Sequence, residues 1–256
     1  MEFSNFNPLV TIDLMKEIIS LTNIKGGSCK TTNAIHLALA LRNHGKVLAI
    51  DLDCQGDLTE FFFPDSDPEF FDKGNAYSLL RGDTTLDNSI YEMHNLSVLP
   101  AILELAELSY KGSSLGFIRR LKNALEDSKF DYAVIDTPGS LASELTMSLI
   151  ASTKVIIPVT PIAWSIRAVG MVFKEIENVQ QAGLFRAKNT FILPSAFGSS
   201  KRDMRLLERF KAMPEIELLQ SIPLNDSVKK RTQASSLLQE DSDGFQAFLN
   251  LAEAIK

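Results

Sequence analysis

Residues 25–32 read Lys25-Gly26-Gly27-Ser28-Cys29-Lys30-Thr31-Thr32. The apolar run Glu17–Asn23 precedes them, and Thr31–Asn43, apolar at Ile35 and Leu37–Leu41, follows as a helix closed by Gly45. Strand, glycine-rich turn and helix in that order are the setting of a phosphate loop. Glycines let backbone N–H groups crowd around phosphate oxygens with no Cβ in the way. The helix N-terminus adds the positive end of its dipole. Lys30 can reach the β- and γ-phosphates of a nucleotide, and Thr31 can offer its hydroxyl to Mg2+. The bland alternative is a tight glycine turn flanked by surface lysines. It requires two lysines, two glycines and a threonine to meet these flanks by chance.

Outward from this loop, short apolar runs alternate with helical patterns. Lys46–Asp51, Asn95–Pro100, Phe130–Asp136, Lys154–Val159 and Asn189–Pro194 read as strands. Leu115–Asp127, Ser165–Ala182, Arg202–Lys211 and Phe245–Ile255 read as helices. The alternation predicts an α/β class with a doubly wound, mostly parallel sheet and helices on both faces. Segment 61–95 reads as loops around one short helix. Residues 1–14 are expected to form an N-terminal extension without a motif, and 15–256 a single domain.

Composition narrows the classes. The 256 residues suit one large α/β domain, and 45% apolar residues suffice for a continuous core. The net charge of −6 argues against a generally basic surface, so any contact with nucleic acid must come from a local patch. Two cysteines, Cys29 and Cys54, are too few for a disulfide framework and match no metal spacing. A reducing cytosol is the expected compartment. Neither a signal peptide nor a membrane-spanning segment is expected.

Two carboxylate segments complete the candidate site. Asp51 and Asp53 stand at i and i+2 at a strand end, a spacing that points both to one side, towards a metal or a water. The alternative is a solvated strand end. In Tyr132–Gly139 (YAVIDTPG) an apolar strand delivers Asp136 to its C-terminal end, where open α/β sheets place ligands. Asp136 would hold Mg2+ through water, and Pro138-Gly139 would begin a loop able to sense the γ-phosphate. A plain strand-ending turn is the alternative there.

With these residues in view, Lys-Gly-Gly-x-x-Lys-Thr-Thr resembles the deviant Walker A loop of the ParA/MinD family of P-loop ATPases, closest to the ParA (Soj-like) DNA partition type. Asp51–Thr59 (DLDCQGDLT) resembles that family's Asp-x-Asp-Pro-Gln-Gly-Asn-x-Thr segment. More loosely, Pro158–Pro161 with Ser165–Gly170, and Ile222-Pro223-Leu224-Asn225, resemble its later segments. The likeness runs from about Lys16 to Leu238. It implies a P-loop NTPase fold and ATP and Mg2+ as cofactors. It also implies an ATP-bound homodimer in which Lys25 crosses to the partner's phosphates, and slow, partner-stimulated ATP hydrolysis with Asp53 arranging the water. Gly26, Gly27, Ser28, Cys29, Lys30, Thr31 and Thr32 would hold the phosphates, Pro223 and Asn225 would lie near the base, and Thr31 and Asp136 would place the metal.

Relatives of the ParA type bind DNA non-specifically and work with a ParB-like centromere-binding protein in plasmid or chromosome partition. The expected place is cytoplasmic and nucleoid-associated. Candidate DNA contacts are Lys201, Arg202 and Arg205, and Lys229, Lys230 and Arg231; ordinary solvated helix faces are the alternative. Ser227 stands where relatives carry an arginine. The last helix is acidic, with Asp241, Asp243 and Glu253, so no membrane contact is expected. Cys29 replaces a family glycine and Cys54 a family proline. If position 29 needs φ > 0, the side chain adds strain and hydrolysis suffers. The second functional reading is therefore an ATP-dependent, poorly hydrolysing interaction or cargo-positioning protein of the same family. A redox role for the cysteines weighs less than a tolerated substitution.

Overall fold

The computed structural model describes residues 17–108, 115–162, 164–213, 216–223 and 225–256. The extension expected at 1–14 lies outside the described residues.

The strands are β1 (Glu17–Leu21), β2 (Val47–Asp51), β3 (Tyr91–Met93), β4 (Leu96–Leu99), β5 (Tyr132–Asp136), β6 (Lys154–Val159), β7 (Asn189–Phe197), β8 (Glu217–Leu218) and β9 (Ile222–Pro223). They form one sheet in the order β3-β4-β2-β5-β1-β6-β7-β8, with β9 paired to the end of β7. Every pairing is parallel except β3 with β4. The central strands are apolar on both faces, as a sheet covered by helices on both sides requires.

Strand parity sorts the core into two layers. Ile19, Leu21, Val47, Ala49 and Val134 face α1 (Lys30–Leu41) and the last helix, Asp243–Ile255. Ile18, Leu48, Ile50, Ala133 and Ile135 face the other way, onto Leu79, Leu121 and Met147. Val155, Ile157 and Ile192 continue that second face onto Val169, Val172, Leu206 and Phe210. The doubly wound, mostly parallel α/β fold expected from the alternation is the fold observed.

Three local expectations need correction. Segment 61–95 holds a helix end, a 3-10 turn at Pro68–Phe71, a helix at Ala76–Arg81 and the antiparallel edge strand β3. Asn75 closes a capping box over that helix, accepting from Ser78 N at 2.9 Å while its own N–H meets Ser78 Oγ. The long helix expected at 115–127 is two short ones, Leu115–Ile118 and Arg120–Glu126. Strand β7 extends to Phe197 through a bulge at which Ala196 takes φ 58°.

The order of strands fixes where a ligand can sit. From β1 the chain crosses by α1 to β2 on one side of the sheet, while β6, β7 and β8 build the other. The loop after β1 therefore opens at the C-terminal strand ends where the winding reverses, the place such sheets reserve for ligands.

Candidate functional site

The loop between β1 and α1 is anchored before it turns. Buried Asn23 donates from Nδ2 to Pro158 O at 2.8 Å and accepts Lys25 N at 3.1 Å. One side chain thus ties the loop start to β6. Gly27 adopts φ 72°, which only glycine takes freely. Cys29, the residue before α1, adopts φ 66°, ψ 23° and makes no side-chain cap. Position 29 therefore does need φ > 0, at a cost of about 1–2 kcal/mol for a side chain. Its thiol is pushed up by burial, with the Lys30 charge opposing.

Lys30 is 7% exposed and donates from Nζ to Lys25 O at 3.4 Å, so its ammonium lies inside the loop. Burial lowers its pKa; the charges of Asp136 and Asp53 pull it back. Gly139 closes over the same point. A Cβ there would stand 3.6 Å from Gly26 N and 3.7 Å from Lys30 Nζ, so the loop after β5 runs against the phosphate loop. Lys25 is half-buried, and Gly26 and Gly27 are exposed. Ser28 is buried and its Oγ has no partner.

The carboxylates separate into two kinds. Asp51 is wholly buried and accepts Asp53 N at 3.1 Å, Thr59 N at 2.9 Å and Thr59 Oγ1 at 2.7 Å. It pins α2 (Asp57–Phe62) beneath the strand end. Burial pushes its pKa up to about 7 against those hydrogen bonds. Asp53 is half-buried, its Oδ1 accepting Gln55 N at 3.1 Å, and it can face an incoming ligand.

Asp136 lies beside Asp51 in the β2–β5 register. It is wholly buried, and apart from the neighbouring Thr31 hydroxyl its oxygens have no hydrogen-bond partner among the described residues. Burial raises its pKa well above the carboxylate range, and the Asp51 charge adds to this. The Thr31 hydroxyl and the Lys30 charge pull the other way. A buried carboxylate with so few partners, beside a threonine hydroxyl, is the donor set a hard divalent cation takes. The residues present therefore fit Mg2+.

Beside the phosphate loop a cavity of about 610 Å³ opens, walled by Gly27, Cys29, Thr32, Pro223 and Asn225 among others. Its apolar surface comes from Ile162, Ile222, Val228 and Phe248, and its polar edge includes Asn33 and Ser195. Asn33 Nδ2 donates to Ser195 Oγ at 2.9 Å, joining α1 to β7. A slot that is apolar on its faces and polar at its edge, beside a phosphate cradle, suits a nucleotide base. Asn225 reaches the cavity as the N-cap of a helix, its Oδ1 accepting Ser227 N and Val228 N.

The basic candidates divide. Lys201, Arg202 and Arg205 are exposed on the helix Lys201–Lys211, which also exposes Arg209 and Lys211 and packs Leu206 and Phe210 onto the second face. Lys229, Lys230 and Arg231 belong to the helix Asp226–Gln233, which packs Val228 onto the first face. Lys229 helps line the cavity, Lys230 is exposed, and half-buried Arg231 donates to Leu237 O at 3.2 Å. The two clusters thus ride on helices that cover opposite faces of the sheet. Sequence reasoning missed Asn23, Asn33, Ile162 and Ser195. An asparagine ending the first strand, two residues before the turn, was the one available signal.

A family model described as an AAA domain matches residues 16–208. The chain is 33% identical over 179 residues to the sporulation initiation inhibitor protein Soj of Bacillus subtilis, covering 65% of this chain and 67% of that one. A putative plasmid partition protein from Borrelia burgdorferi, solved bound to AMPPNP, superposes with a TM-score of 0.80 at 28% identity, covering 93% of this chain and 97% of that one. Cobyrinic acid a,c-diamide synthase from Mycobacterium smegmatis, solved with ADP and magnesium, gives 0.77 at 26% identity and 94% of each chain.

Proposed function

Because the chain belongs to the ParA/MinD family of P-loop ATPases, we propose that it binds ATP with Mg2+, dimerises on doing so and hydrolyses ATP slowly. In this function the ATP-bound dimer holds DNA non-specifically and drives plasmid or chromosome partition with a ParB-like partner. Residues 15–256 act as one ATPase domain, cytoplasmic and associated with the nucleoid. The observation that carries the proposal is that the buried Lys30 ammonium and the buried Asp136 carboxylate, which has few hydrogen-bond partners, face one loop mouth.

Each residue has a task there. Lys30 and the backbone N–H groups of 26–32 hold the phosphates, and the α1 N-terminus adds its dipole. Thr31 and Asp136 hold Mg2+, which supplies charge neutralisation on the triphosphate. Asp53 orients the attacking water. Gly139, packed over Lys30, lets the loop after β5 register whether a γ-phosphate is present. The cavity beside Thr32 takes the base, with Pro223 on one wall and the Asn225-capped helix on another. Lys25, half-buried at the loop mouth, reaches the phosphates of a second copy.

Retention on DNA, measured with ATP, ADP and no nucleotide for wild type and Lys25→Ala, tests the proposal. Retention only with ATP, and lost in the variant, is expected. Equal retention in all conditions defeats it. The second reading, an ATP-dependent interaction or cargo-positioning protein that hydrolyses poorly, is favoured by one observation: Cys29 holds φ 66° in the phosphate loop. Single-turnover hydrolysis separates the two. Tight ATP binding without turnover selects the second.

A further inference from the structure

Helix α1 leaves the phosphate loop and, one turn on from Asn33, places His36 at a junction of four elements. The ring is fully buried. Phe61 of α2 stands edge-on with ring centroids 6.0 Å apart, and Phe248 of the last helix lies at 5.0 Å. From the helix Asp226–Gln233, Thr232 Oγ1 sits 2.8 Å from His36 Nε2. The Thr232 hydroxyl has one proton, and it goes to Val228 O at 2.8 Å. The oxygen can therefore only accept from the ring. That fixes the neutral tautomer with the proton on Nε2. Nδ1 is left as a buried acceptor without a partner among the described residues.

A buried ring with one bond and one bare nitrogen is a poor choice for packing alone, since an apolar side chain would leave nothing unsatisfied. What the bond joins gives the reason. Among the described residues it is the one hydrogen bond between α1 and the helix Asp226–Gln233. That helix has two duties. Val228, Lys229 and Thr232 line the cavity, and Lys229 and Lys230 are also exposed to solvent.

We infer that His36 is a positioning residue: its bond to Thr232 holds the basic helix against the nucleotide-bearing helix, so that filling the cavity sets Lys229 and Lys230 for an anionic partner. The inference rests on the ATP-dependent DNA retention proposed above. Coupling between two sites through one such link is typically worth about 5- to 150-fold in affinity.

The experiment compares wild type, His36→Leu and His36→Gln, the last keeping an N–H donor at similar reach. Affinity for a non-hydrolysable ATP analogue with Mg2+, retention on DNA, and amide exchange of residues 226–233 with and without the analogue are measured. His36→Leu is expected to bind the analogue within about twofold of wild type and to lose DNA retention about tenfold. Its 226–233 amides should gain no protection from the analogue. His36→Gln should recover most of both. DNA retention and amide protection at wild-type level in His36→Leu overturn the inference. So does a parallel loss of nucleotide and DNA binding in both variants, which marks a packing role. Thr232→Val against Thr232→Ser repeats the test from the other helix if His36→Leu does not fold: equal DNA retention per nucleotide bound overturns it. A wild type without ATP-dependent DNA retention sinks the functional reading, while the exchange of 226–233 still decides the link.

Discussion

The two ends of the nucleotide site are built on opposite principles. At the phosphate end, charge and strain are concentrated in a few residues: Lys30 buried, Asp136 buried with few partners, Asp51 wholly enclosed and Cys29 left-handed. At the base end, the wall is mostly apolar, edged by hydrogen-bonded amides and a well-formed helix cap, with Lys229 the one charged residue among those lining it and Ala196 at φ 58°. The difference teaches where the ligand is needed. The phosphate end holds unmet charge that a metal and a triphosphate would satisfy, whereas the base end offers mainly apolar surface. Helix α1 joins them, with Lys30 at its start and His36 less than two turns further on, buried among aromatic rings.

If charge lies behind the phosphate end, Lys30→Ala should have the largest effect. Two charge-assisted hydrogen bonds to phosphate are lost, about 4 kcal/mol or on the order of a thousandfold in affinity. Calorimetric titration with an ATP analogue and Mg2+ measures it. An affinity within tenfold of wild type would mean that the base end dominates binding, and the contrast would fail.

Acid sharpens the contrast because the two ends respond with opposite sign. His36 is held near pKa 4 by burial, below its ordinary 6.5. Its contribution to stability is fully present above pH 6.5 and is lost as pH falls through 4, about 3 kcal/mol in all. Asp51 is raised to about 7, so its contribution is fully present below pH 3.8 and is lost as pH rises through 7. Denaturant midpoints of wild type and His36→Leu, compared between pH 7 and pH 4, isolate the base-end share. The wild type should lose more stability than the variant over that range. Parallel curves would show that His36 is protonated in the fold at no cost.

Asp136→Asn tests the unmet charge directly. A wholly buried carboxyl is costly, and the neutral isostere removes that cost while giving up the attraction to Lys30. Without metal the variant should be more stable at neutral pH by about 2 kcal/mol, while the Mg2+ dependence of nucleotide binding disappears. Lower stability would mean that the Asp136 oxygens are already satisfied.

The same contrast explains what the sequence disclosed. The phosphate end was legible because its chemistry is local: Lys25–Thr32, Asp51–Asp53 and Asp136-Thr137-Pro138-Gly139 are contiguous runs at strand ends, and backbone geometry dictates their residue types. The parallel sheet was legible from its apolar strands for the same reason. The base end is assembled from Asn33 in α1's first turn and from Ile162, Ser195 and Val228, which lie more than a hundred positions further along the chain, and no local pattern marks them. Segment 61–95 hid its structure because a capping box built on Asn75 and Ser78 reads as loop composition, and a three-residue edge strand is too short for a period. Arg119, still helical at φ −90°, divides 115–127 without any breaker residue to announce it.

Cys29 gives the smallest effect and the finest test. In the left-handed region its Cβ adds strain that glycine lacks, so Cys29→Gly should stabilise the folded chain. The gain is reduced because glycine also widens the unfolded ensemble, leaving about 1 kcal/mol net. If the strain also holds the loop slightly off the phosphates, the variant should gain turnover in single-turnover hydrolysis with little change in ATP affinity. Cys29 also touches the base cavity, so the affinity for adenosine alone, measured beside that for ATP, separates a change in that wall from a change in the phosphate cradle. A variant less stable than wild type would mean that the buried thiol packs well enough to outweigh its backbone cost. The phosphate end would then be strained in φ alone and not in energy.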